Sequence, residues 1–124
     1  MGTRDFRKYA IWKDSIQLTK SIYLLVASFP KEERFGLSSQ LIRAATSIPS
    51  NIAEGCSRSS ESDFKRYLEI ALGSAYEVET QLVISSEIGL LEKDRLNELI
   101  GDLQIIQKQI LQLIHKIENS IKTK

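Results

Sequence analysis

Between residues 96 and 117, Leu96, Leu99, Leu103, Ile106, Ile110, Leu113 and Ile117 recur at alternating steps of three and four. That is the period of an α-helix buried along one side. Ile100, Ile114 and Ile121 form a second apolar row beside it, wider than a two-stranded seam needs, so the helix belongs in a bundle. Three earlier stretches share the period. The first runs from about residue 9 to 28, with Trp12, Ile16, Tyr23 and Val26 recurring and Ile22 and Leu25 beside them. The second, about 37–54, carries Leu37, Leu41, Ala44, Ala45, Ile48 and Ile52. The third, about 61–88, carries Phe64, Tyr67, Leu68, Ala71, Ala75, Val78 and Leu82. No segment alternates as a strand would. Four helices of about 20 to 29 residues with short connections predict an all-α, up-down-up-down antiparallel four-helix bundle.

The punctuation agrees with these limits. Phe29-Pro30 ends the first helix, because proline disfavours helical geometry in its predecessor. Gly55 stands where a left-handed cap would close the second helix, and Gly89 marks the end of the third. Ser60 can cap the third, with Asp63 three residues on. Gly73, in mid-helix, predicts close approach by another element. Pro49 leaves the Ala45 carbonyl without its helical donor. It therefore predicts a bend held by side-chain bonds from Ser50 and Asn51; the alternative is a helix that stops at Ser47 and restarts at Pro49.

A polar line flanks the core stripe of the second helix. Gln40, Arg43, Ser47, Asn51 and Glu54 are spaced three, four, four and three, and four of the five stand one residue, about 100° of rotation, before a core position. Ser74, Glu77 and Gln81 repeat the arrangement on the third helix. An antiparallel hairpin turning near residue 58 would bring Arg43 within a turn of Glu77, close enough for a bidentate pair. Such a line either fixes register against a second subunit or forms a network inside one subunit.

The 124 residues suit one domain, and the net charge of +1 hides an asymmetry. Residues 1–20 hold Arg4, Arg7, Lys8, Lys13 and Lys20 against Asp5 and Asp14. Residues 108–124 hold Lys108, Lys116, Lys122 and Lys124 against Glu118. In an up-down-up-down bundle these two segments meet at one end, where Arg4, Arg7, Lys8, Lys13, Lys116, Lys122 and Lys124 would form a phosphate-binding patch. The chemistry of metal and nucleophile sites is missing from the pattern. His115, the only histidine, stands three residues after Gln112 rather than a glutamate, and Cys56, the only cysteine, reads as a loop thiol. No glycine-rich phosphate loop is present. Glu69, Glu77 and Glu79 read as ordinary solvated or paired acids. No apolar run is long enough for a signal peptide or a membrane span, so a cytoplasmic protein without cofactor or metal is expected.

The stretches FGLSSQLIRAATSIPSNIAEG and SDFKRYLEIALGSAYEVETQL, with the opening FRKYAIWKDSIQLTKSIY, closely resemble the bacterial 23S rRNA intervening-sequence proteins. This four-helix bundle family also includes the accessory variability protein of diversity-generating retroelements. The resemblance covers about Phe6 to Leu91, and the fourth helix matches in pattern only. It implies a homo-oligomer, typically a pentamer, without established enzymatic activity. In the retroelement branch it implies a nucleic-acid-binding partner of a reverse transcriptase. The expectation is therefore a non-enzymatic homo-oligomeric bundle that binds RNA or DNA through its basic end; the alternative is a protein-interaction scaffold without nucleic acid.

Overall fold

The computed structural model describes residues 4–123; Lys124 lies outside them. Four α-helices follow one another: α1 (Ala10–Val26), α2 (Leu37–Cys56), α3 (Glu61–Glu87) and α4 (Lys93–Lys122). Short 3₁₀ turns at Phe6–Lys8 and Lys31–Glu33 precede α1 and α2. Each helix packs on the next and α1 closes on α4, less tightly than the others. The result is the antiparallel up-down-up-down bundle that the periodicity predicted. At 1.5 Å per residue, the 30 residues of α4 span about 45 Å.

Local chemistry sets most of the helix ends. Ser60 accepts the Asp63 N–H at 3.0 Å and starts α3. Gly89, at φ +84°, ends it: Leu90 N–H donates to the Ser85 carbonyl at 2.8 Å and Gly89 N–H to Ser86 at 3.0 Å. This is the paired left-handed closure that only glycine adopts without strain. α1 stops at Val26, three residues before Phe29, which turns inward and is buried.

The core stripes of α2 and α3 fall where expected, apart from the half-buried Leu37 and Tyr67 at their ends. That of α1 does not. Its buried positions are Ile11, Ser15, Leu18 and Ile22, whereas Ile16 and Tyr23 are exposed and Trp12 is half-buried. Ser15 interrupts the apolar pattern yet is wholly buried, because its hydroxyl donates to the Trp12 carbonyl at 2.9 Å. A serine satisfied by its own helix costs little in a core. On α4 the stripe passes from Ile110 to Ile114 rather than Leu113, and Ile121 is exposed. A straight helix drifts from a strict heptad by about 20° per repeat.

Two glycines depart from the roles expected of them. Gly55 is no cap: α2 continues through it to Cys56. A Cβ there would stand 2.8 Å from the Tyr67 Cβ and 3.2 Å from the Phe64 ring, so its missing side chain lets α2 and α3 close beside their turn. Gly73 is exposed, and a Cβ added to it would meet nothing within 4 Å; no element approaches it. Cys56 is likewise no loop thiol. It ends α2 and is buried.

Pro49 sits inside an uninterrupted α2. The freed Ala45 carbonyl is met from α1, by the Thr19 hydroxyl at 3.2 Å; the same hydroxyl lies 2.8 Å from the Ser15 carbonyl. Asn51 bonds the Ser47 carbonyl and hydroxyl instead, at 2.8 and 2.9 Å. The compensation is therefore tertiary, from Thr19, and not local from Ser50 and Asn51.

Candidate nucleic-acid interface and the polar line between α2 and α3

The start of α1, the α2–α3 turn and the end of α4 share one end of the bundle. Two contacts tie them together. Arg4 donates to the Arg58 carbonyl at 2.7 Å and pairs with Glu61, its guanidinium lying 4.3 Å from the centre of the Phe64 ring. Lys65 of α3 pairs with Glu118 of α4 at 3.2 Å. Arg4, expected to be a phosphate contact, is thus a clamp on the turn, with its charge already matched.

The ion pairs at this end consume acids as well as bases. Glu61 is taken by Arg4, Glu118 by Lys65, and Glu54 by Arg58 at 3.1 Å. Asp63 lies in the first turn of α3, where the helix dipole favours an acid. Arg7, Lys8, Lys13, Lys116 and Lys122 are exposed and form no ion pair among the described residues. Arg66 joins them; its guanidinium lies 4.9 Å from the Tyr67 ring centre, and Arg58 lies 4.8 Å from the same ring. The expected patch did not include this contribution from the α2–α3 turn. The signal was available, since an antiparallel hairpin turning near residue 58 places residues 58–66 beside both chain ends. The opposite end is richer in acid, with Glu32, Glu33, Glu87, Glu92, Asp94 and Glu98 against Lys31, Arg34, Lys93 and Arg95.

The polar line bridges α2 and α3 within the chain. Ser47 and Ser74 hydroxyls meet at 2.8 Å, with Asn51 donating to Ser47. One turn or more away, Gln81 Nε2 donates to Gln40 Oε1 and Glu77 Oε2, each at 3.3 Å. Gln81 is buried, and its Oε1 has no partner among the described residues. Two expected members depart from the line. Glu54 turns to Arg58 in its own turn. Arg43 is exposed and forms no ion pair with Glu77. Outside the line, Ile70 and Ile84 of α3 and Ile88 just after it stand exposed, at spacings that place them on one outward side with Glu77.

A half-buried phenol and a buried thiol lie behind the basic end. Burial pushes the Tyr9 phenol and the Cys56 thiol above their ordinary values. Both stay protonated at neutral pH and offer no nucleophile. His115 is exposed, and no group of three metal-ligating side chains occurs among the described residues. No helix of the described residues is long and apolar enough to cross a membrane.

The same fold occurs in a solved structure of a protein of unknown function from the S23 ribosomal protein family of Bacteroides thetaiotaomicron. It superposes with a TM-score of 0.79 at 27% identity, covering 85% of this chain and 95% of that one. No curated protein matches the sequence. The family model described as 23S rRNA-intervening sequence protein matches residues 7–112, which takes the similarity past Leu91 and through most of α4. The chain belongs to the 23S rRNA-intervening sequence protein family.

Proposed function

We propose that this protein is a non-enzymatic, self-associating bundle that binds RNA or DNA through its basic end. One observation carries the reading. Ion pairing at that end uses up Glu54, Glu61 and Glu118, and leaves Arg7, Lys8, Lys13, Arg66, Lys116 and Lys122 exposed without an acidic partner among the described residues. A nearly neutral chain can in this way present a local positive field to phosphates. The family's name, which ties it to 23S ribosomal RNA, agrees with a nucleic-acid partner. Copies arranged about a symmetry axis would repeat the patch and multiply the field.

Self-association is supported by the exposed Ile84 and Ile88 beside the polar line, with Ile70 two heptads back on the same side, apolar surface that a second copy would cover. In the alternative reading a different protein covers it, and the bundle is a scaffold.

Binding of a labelled oligonucleotide across a salt series tests the first claim. Each neutralised phosphate adds about −0.7 to −0.9 to the slope of log affinity against log salt. Replacing Lys13, Lys116 and Lys122 together by glutamine should flatten that slope by about two units. An unchanged slope refutes the basic-end assignment, and no binding at low salt favours the scaffold. Light scattering of Ile84→Asp tests the second claim. A fall in mass with helicity retained is expected, and unchanged mass rejects this face.

A further inference from the structure

Of the seams between neighbouring helices, the one between α1 and α4 is packed least tightly. At the basic end it opens into a hollow of about 290 Å³, between the start of α1 and the last turns of α4. Tyr9, Ala10, Ile11 and Leu113 supply an aromatic and apolar lining, and Gln109, Gln112 and Lys116 complete it. No carboxylate lines the hollow. Gln109, Gln112 and Lys116 follow one another at steps of three and four, so one face of α4 presents two amides and then a cation. The Tyr9 ring is braced by Phe64, with 6.2 Å between ring centroids.

Gln109 is the unusual member. Its Oε1 is buried and meets no donor among the described residues. An unmet buried acceptor is costly, and a glutamine amide turns readily about its last torsion. Gln107, two residues earlier, is by contrast spent within the bundle, donating to Glu79 at 2.8 Å. The amides of Gln109 and Gln112 each offer a donor beside an acceptor, the pattern that pairs with the edge of a nucleobase. An aromatic and apolar lining, amide edges and a cation are together what holds an unstacked base and its phosphate. Attraction of a backbone by exposed cations would require no such hollow.

We infer that this hollow receives one unpaired base of a single-stranded nucleic acid, so that the basic end selects single strands over duplexes. The inference rests on the reading of that end as a nucleic-acid surface and adds the class of strand. The base lies against Tyr9, Ile11 and Leu113, and Gln109 turns outward to meet its edge together with Gln112. Lys116 takes its phosphate, and Arg7, Lys8 and Lys13 take the flanking ones. A duplex keeps its bases stacked and paired, and cannot supply one without opening. The hollow is at the lower bound of small-molecule sites, about 300 Å³, which admits a flat ring and no base pair. Farther along the same seam the next hollow carries Asp14 and Asp102 against Lys20. That is unfavourable to phosphate, so a single base is taken.

Fluorescence anisotropy with the full-length protein compares probes of about ten nucleotides: an oligoadenylate strand, the same strand annealed to its complement, and an abasic strand of equal length. Adenine is the probe base because glutamine amides pair with its edge. The oligoadenylate should bind about tenfold more tightly than the abasic strand, the worth of one stacked base. Its salt slope should be the same, because the phosphates are the same. The duplex should bind less tightly than the single strand despite its denser charge. Gln109→Ala, Gln112→Ala and Tyr9→Leu should each reduce the preference for the base and leave the salt slope in place, with helicity checked by circular dichroism. Equal affinity for the oligoadenylate and abasic strands overturns the hollow and spares the basic end. So does a preference that survives Gln109→Ala and Gln112→Ala combined in a folded chain, or a duplex that binds as well as the single strand. Absence of binding by every probe at low salt refutes the basic end, and the hollow with it.

Discussion

Replacing Thr19 by valine removes one hydroxyl and keeps the shape of the side chain. Its effect should depend on a residue 30 positions away in sequence, Pro49. Proline has no N–H, so the Ala45 carbonyl loses its helical donor. Ala45 is fully buried, and water cannot serve in place of that donor. The Thr19 hydroxyl does, at 3.2 Å, sharing its single proton with the Ser15 carbonyl at 2.8 Å. An unmet buried acceptor costs about 1–3 kcal/mol. Because the proton is shared, a loss of about 1–2 kcal/mol is expected for Thr19→Val. With a urea slope of about 1–3 kcal/mol/M, the unfolding midpoint should fall by roughly 0.5–1 M at fixed protein concentration, with the slope unchanged. In Pro49→Ala protein, residue 49 regains an N–H and can serve the Ala45 carbonyl itself. The same Thr19→Val change should then cost under about 0.5 kcal/mol, giving a coupling of about 1 kcal/mol in the double-mutant cycle. Equal costs in the two backgrounds would show that the hydroxyl serves its own helix alone, and would refute the account of how α2 tolerates proline.

The two interior glycines should respond in opposite directions to alanine. Gly73→Ala should stabilise by about 0.5–1 kcal/mol through helix propensity. Gly55→Ala should destabilise by about 1–3 kcal/mol, since the new Cβ collides with the Tyr67 Cβ and overpacking outweighs propensity; thermal or urea unfolding separates them. Ser60→Ala removes the cap of α3 and should cost about 1 kcal/mol, read in the same way. Burial raises the Cys56 thiol above its ordinary value of 9.0 and the Tyr9 phenol above 10.0, so the folded chain keeps both protons to higher pH than the unfolded chain does. Their contribution to stability is complete below the ordinary thiol range and is lost as pH rises through it and on past the raised values. Cys56→Ala should flatten the first part of that fall in unfolding measurements from pH 8 to about 11, and a slope identical to the parent's would contradict the burial of the thiol.

The candidate sites were legible to different depths. The basic end could be drawn from the sequence because it needs only topology: once four helices alternate in direction, both chain ends must meet. Which bases there remain free could not be drawn, because pairing depends on side chains that approach across helices. Arg4 and Glu61 are 57 residues apart, and no local pattern couples them.

The sequence by itself determined the helices, their order and their alternation, because a 3.6-residue apolar period, a serine cap and a glycine closure act within a few residues of chain. It determined less where a polar residue enters the core or a small one permits contact. Ser15 broke the stripe of α1 although its hydroxyl is satisfied one turn away. Gly55 and Gly73 look alike in sequence, yet only one lies where two helices touch. Pro49 was evident as a local fault, but the donor that mends it comes from another helix. Packing decided these matters, since whether a missing side chain, a missing N–H or a buried hydroxyl is tolerated depends on what stands opposite it in space.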